Sequence, residues 1–138
     1  MRTACGLIEW RLRGVNLDLL TEANRSGDRD DGKNTHIRLF ANRATYGTDK
    51  SRLADVRPAH WEYDQALERA KKMALAGPFA NDQGGLFVYS AGDREQAISY
   101  LEQDPFSVEG VLAEYELLEW VIEGVNPALL ATDFSASS

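Results

Sequence analysis

The chain has 138 residues, of which 43% are hydrophobic and 27% charged, enough for one ordinary globular core. A formal charge of −7 argues against nucleic acid and anionic membranes as partners, because both demand clustered Lys and Arg. The lone Cys5 excludes an internal disulfide, and with only two histidines there is no Cys/His set spaced for zinc; neither metal nor cofactor is expected.

In chain order, residues 1–6 lack the apolar core of a signal peptide, and no apolar run approaches the ~20 residues of a membrane span, so the chain reads as cytoplasmic. Ile8, Trp10 and Leu12 alternate with charged residues and predict a half-buried strand. The stretch 25–35 (RSGDRDDGKNT) is polar, rich in Gly and Asp, and reads as a linker. A second strand is predicted over 36–45, with Ile37, Leu39 and Ala41 sharing a face.

A helix is predicted from Pro58 to about Met73. Proline suits a first turn, and His60, Tyr63, Leu67 and Ala70 recur on one stripe. A short strand at 73–76 ends at Gly77-Pro78. Turn formers fill 81–85 before a strand at 86–89. Asp93 or Gly92 can cap a helix bearing Ala97, Ile98 and Leu101, which stops at Asp104 because proline follows. The last strand, about 112–122, carries Tyr115, Leu117 and Val121 on alternate positions.

From residue 36 onward the order is β-α-β-β-α-β, the ferredoxin-like α+β arrangement. Its sheet carries helices on one face, so the other face is expected to be hidden by a second copy, giving a dimeric α+β barrel. The segment 7–20 also returns at 117–130, with eight of fourteen positions identical. This suggests that residues 1–24, resembling 117–134, are the remnant of a lost tandem copy, ahead of a linker at 25–35, a domain at 36–122 and a tail at 123–138. On this reading, residues 6–13 pair at a sheet edge or cross a subunit interface.

Arg57-Pro58-Ala59-His60, Ala76-Gly77-Pro78-Phe79, Gly84-Gly85-Leu86-Phe87-Val88, Asp104-Pro105-Phe106 and Leu118-Glu119-Trp120 stand in the order and spacing of the YciI-like (YCII-related) family, which this chain resembles over about 36–122. The resemblance implies a dimeric α+β barrel with a His/Asp pair in a cleft, matched by His60 and Asp104. One member is a dehydrochlorinase acting on a chlorinated hydroxyhydroquinone; the family fixes fold better than function.

Imidazole titrates near neutrality, so His60 held by Asp104 suits a proton-transfer base, whereas a His on an inner helical stripe can equally be a buried hydrogen-bonding residue. Arg57, one turn away, has donors suited to a substrate anion, with an ion pair to Asp55 or Glu62 as its structural alternative. Tyr63 lies on the His60 stripe as a candidate substrate-binding residue or a core aromatic. His36 reads as exposed, Cys5 shows no activating neighbour, and Gly84-Gly85 lacks the context of a phosphate loop. The expected function is a cofactor-independent isomerase, lyase or dehydrohalogenase acting on a small molecule. The alternative is a non-catalytic binding or assembly module, or a degenerate domain within a larger complex.

Overall fold

The computed structural model describes residues 14–20 and 38–130. Its elements are β1 (Gly14–Val15), β2 (Leu39–Tyr46), α1 (Lys50–Arg69), β3 (Met73–Pro78), β4 (Gly84–Ser90), α2 (Arg94–Gln103), α3 (Pro105–Val108), β5 (Leu112–Trp120) and α4 (Pro127–Leu130). The five strands form one antiparallel sheet in the order β1-β3-β4-β2-β5. From β2 onward this is the expected ferredoxin-like α+β fold. No helix among the described residues is long and apolar enough to cross a membrane.

Period-two alternation divides β2 between two cores. Phe40 and Ala44 join Phe87, Tyr89, Leu101 and Leu117 beneath the helices. Leu39 joins Ala74, Leu75 and Val88 on the outer face. Registry is set by the paired rows Ala44↔Gly85 and Thr45↔Gly84. At Gly84 the neighbouring backbone comes so near that a Cβ would lie 2.0 Å from the Ala44 carbonyl oxygen, so only glycine permits the pairing.

Helix α1 departs from the sequence reading. It begins at Lys50, eight residues before Pro58, which is therefore interior. The start is set by Asp49, whose side chain accepts a hydrogen bond from Arg52 N at 3.0 Å. The inner stripe is Leu53, Val56, His60, Asp64 and Leu67, spaced by steps of three or four residues. The cap of α2 is Asp93, which accepts from Gln96 N at 2.8 Å, and its end at Asp104 is as expected. Asp104 then caps α3, a short helix the sequence reading omitted.

The outer face, for which a second copy was the expected cover, is partly covered by the chain itself. Leu19, Leu20 and Ile122 are buried on it, with Val15, Val125 and Leu130 packed alongside. Two segments of the same chain thus cover much of that face. In each, an asparagine opens a helical turn: Asn16 Oδ1 accepts from Leu19 N at 3.2 Å, and Asn126 Oδ1 accepts from Ala128 N at 3.1 Å. Residues 6–13, expected at a sheet edge or across a subunit interface, lie outside the described residues, while β1 directly after them pairs with the β3 edge.

Candidate functional site

Two element ends meet at His60. Asp104, between α2 and α3, is fixed by the proline after it and by Phe106 N, which donates to its Oδ1 at 2.9 Å. His60 Nδ1 donates to the same carboxylate at 2.8 and 3.0 Å. On the other side of the ring, Nε2 meets Asp64 Oδ2 at 3.0 Å, an i,i+4 contact along α1. All three side chains are buried. Phe106 stacks on the imidazole at 3.8 Å and 7°, and Phe87 meets it edge-on at 5.1 Å.

Burial by itself lowers the pKa of a ring. Here it is outweighed by the hydrogen bonds to Asp104 and Asp64 and by their negative charges, which raise His60 to about 9. At neutral pH the ring is an imidazolium with both N–H groups donated, and the face of Phe106 adds a cation–π contact. Burial pushes the Asp64 carboxyl up, with His60 opposing it.

The donor atoms of His60, Asp64 and Asp104 lie within 4.8 Å of one another, which invites a test as a metal centre. The two carboxylates, however, approach opposite nitrogens of the ring, whose lone-pair directions diverge. The arrangement is that of an acid–base chain and does not converge on one ion.

A narrow cleft with room for about one water molecule opens beside this chain. It is lined by Tyr46, Arg57, His60, Trp61, Asp64, Gly77, Pro78 and Phe87. Arg57 also lines the cleft, and its ion pair is with Asp82 at 2.8 Å instead of with Asp55 or Glu62. The hairpin before β4 brings Asp82 there, which spacing along α1 does not reveal. Tyr63 is not among the lining residues: its hydroxyl donates to the Tyr100 carbonyl at 2.6 Å and its ring packs on the helix-side core. His36 and Cys5 lie outside the described residues.

The sequence reading missed Asp64, Phe106 and Tyr46. For Asp64 a signal existed, namely an acidic residue one helical turn past His60 in an otherwise apolar stripe. The stacking of Phe106 depends on where α3 lies and has no sequence periodicity.

Comparison with known proteins agrees with this architecture. YjpA of Bacillus subtilis (strain 168) is 30% identical over 64 residues, covering 46% of this chain and 74% of that protein. A solved structure of 5-chloro-2-hydroxyhydroquinone dehydrochlorinase (TftG) from Burkholderia phenoliruptrix AC1100, in complex with 2,5-dihydroxybenzoquinone, superposes with a TM-score of 0.53 at 23% identity. The match covers 59% of this chain and 92% of the dehydrochlorinase, and establishes the shared fold. The model of the YCII-related domain matches residues 39–121, from the first residue of β2 to just past the end of β5 and so across every element that builds the His60 site, and the chain belongs to that family.

Proposed function

We propose that this chain is a cytoplasmic, cofactor-independent enzyme that transfers a proton on a small molecule, as an isomerase, lyase or dehydrohalogenase does, with His60 and Asp104 at the centre of its site. The supporting observation is the buried Asp104–His60–Asp64 chain beside a cleft. Three ionisable groups are costly to remove from water, and apolar residues of like volume would hold α1 to the sheet at least as well. Perturbed groups gathered at a cleft are a usual signature of acid–base chemistry.

The charge state changes the role expected from sequence. With a pKa near 9 the ring is protonated at neutral pH, so His60 is the store of a proton and not the initial base. Asp104 holds the ring in place, and the carboxylates carry the proton to and from it. Arg57, at the cleft, suits the negative end of a substrate. Tyr63 contributes through the core instead, since its hydroxyl is committed to a carbonyl.

The narrow cleft favours a second reading, a binding module without turnover. Both readings include a homodimer, supported by the exposed Leu118 and Trp120, which share one face of β5. The matched asparagine-capped turns at 16–20 and 126–130 support a common origin of the two outer-face segments in a tandem ancestor.

The test is hydrogen exchange in D2O. Small hydroxylated aromatics and cyclic enols, with 2,5-dihydroxybenzoquinone included as the ligand of the TftG structure, are incubated with the protein and followed by NMR. Expected is C–H to C–D exchange on at least one of them that His60→Gln removes. Binding without exchange favours the module, and neither binding nor exchange rejects both readings.

A further inference from the structure

Among the described residues, one oxygen of the Asp104–His60–Asp64 chain is left without a hydrogen-bond donor. Asp104 Oδ1 accepts from His60 Nδ1 and Phe106 N, and its Oδ2 lies 3.0 Å from the same ring nitrogen. Asp64 Oδ2 is held by His60 Nε2. Asp64 Oδ1 is fully buried and has no hydrogen-bond partner among the described residues, although its side chain lines the cleft. A buried carboxylate oxygen without a donor is expensive, and a docking donor removes that cost.

We propose that Asp64 is the catalytic base of this site, its Oδ1 receiving the proton of a ligand that presents a hydroxyl or an acidic C–H into the cleft. The proposal rests on the proton-transfer reading above and adds to it the atom that meets the substrate. Neither nitrogen of His60 is free to do so, since each already faces a carboxylate. The chain carries a net charge of one negative unit with both carboxylates ionised and the ring protonated, and accepting a proton brings it to neutrality in a site without bulk water. Burial, which raises the Asp64 pKa, pulls in the same direction.

The step balances within the pair. The O–H or C–H bond of the ligand breaks, its electron pair remains on the ligand as an enolate-type anion, and an O–H bond forms at Asp64 Oδ1. Return of that proton to a different atom of the anion gives an isomer. Departure of a leaving anion gives an elimination, and Asp64 then releases its proton to water. Arg57 lies at the same cleft, where developing negative charge on the ligand meets a guanidinium. Trp61 and Pro78 line the cleft as well, and its room for about one water molecule admits the donor-bearing edge of a small ligand, with the rest of that ligand outside.

The probes are 4-fluorophenol, which has the donor, and 4-fluoroanisole, which has lost it, followed by 19F NMR. Wild-type protein is expected to bind the phenol about tenfold more tightly than the ether, and Asp64→Asn to bring the phenol down to the level of the ether. In wild-type protein with 13C-labelled aspartate, the Asp64 carboxyl resonance is expected to move on addition of the phenol more than that of Asp104, a readout that does not depend on the variant folding. Equal binding of the two probes by wild type, or an unmoved Asp64 resonance, overturns the proposal. Phenol binding that His60→Gln abolishes and Asp64→Asn leaves intact overturns the role of Asp64 while the site itself stands; binding of neither probe overturns both.

Discussion

Each nitrogen of the His60 ring is committed to a buried carboxylate, and this ties protonation to stability. In the unfolded chain the imidazole titrates near 6.5, whereas in the fold it does so at about 9. Below 6.5 both states hold the proton and the stabilisation is fully present. Between the two values only the folded state keeps it, and the stabilisation drains away as pH rises through 9. A shift of this size in a site so buried corresponds to on the order of 3 kcal/mol. The raised Asp64 pKa acts in the same sense, its contribution being fully present below the ordinary carboxylate range and lost as pH rises through the raised value. Urea unfolding of wild type and His60→Gln should therefore differ most near pH 6 and converge by about pH 10; a wild-type stability that stays level from pH 6.5 to 9 contradicts the imidazolium. The pairing of His60 with Asp104 was legible through the family resemblance, which implies a His/Asp pair, and not from the periodicity of either helix. Asp64 was not, because a periodicity reading treats a polar residue in an apolar stripe as an interruption, when here it is held by the imidazole one turn before it.

Helix α1 carries two of the three groups, so its ends matter more than its length. The sequence signal at Pro58 pointed to a first turn, but Asp49 caps the helix earlier and Leu53 and Val56 extend the buried stripe back to it. A proline in the interior forgoes one backbone donor, and packing of that longer stripe outweighs the loss. At the other end Lys72 N donates to the Leu67 carbonyl at 2.8 Å and Lys71 N to that of Glu68 at 3.1 Å, a Schellman closure with Lys71 at φ 61°. Glycine is the residue that occupies this left-handed position without strain. Lys71→Gly should stabilise the protein by about 1 kcal/mol, seen as a higher midpoint in thermal unfolding. An unchanged or lower midpoint means the lysine side chain contributes something that the strain argument omits. The strands, by contrast, were readable to within a few residues from their alternation and the turn formers between them, although β3 runs on through Gly77 and Pro78, which the sequence reading took as its stop.

The whole molecule has a sheet with unequal faces. The helix side is closed by α1 and α2, and the outer side is closed over β3 and β4 by residues 15–20 and 122–130. The order of elements, with helices on one face only, pointed to a second copy as the cover for this side, because local patterning does not disclose that a tail folds back on its own domain. What is left open lies toward β5. Leu118 and Trp120 pair with Ala41 and Leu39 in register and are 55% and 41% exposed, and Val121, next in sequence, is 60% exposed. An apolar strip of this kind on an edge strand is a liability unless another molecule covers it. If a second copy is that cover, the contact is isologous and each strip buries its counterpart. Paired substitution of Leu118→Glu and Trp120→Glu places like charges face to face across the two-fold axis, and it touches no residue of the His60 site. The expected result is a homodimer by light scattering for wild type and a monomer for the variant, with the circular dichroism of the fold retained. A wild-type protein that is monomeric at the concentrations used for NMR, or a variant that remains dimeric, shows that the open strip serves another surface.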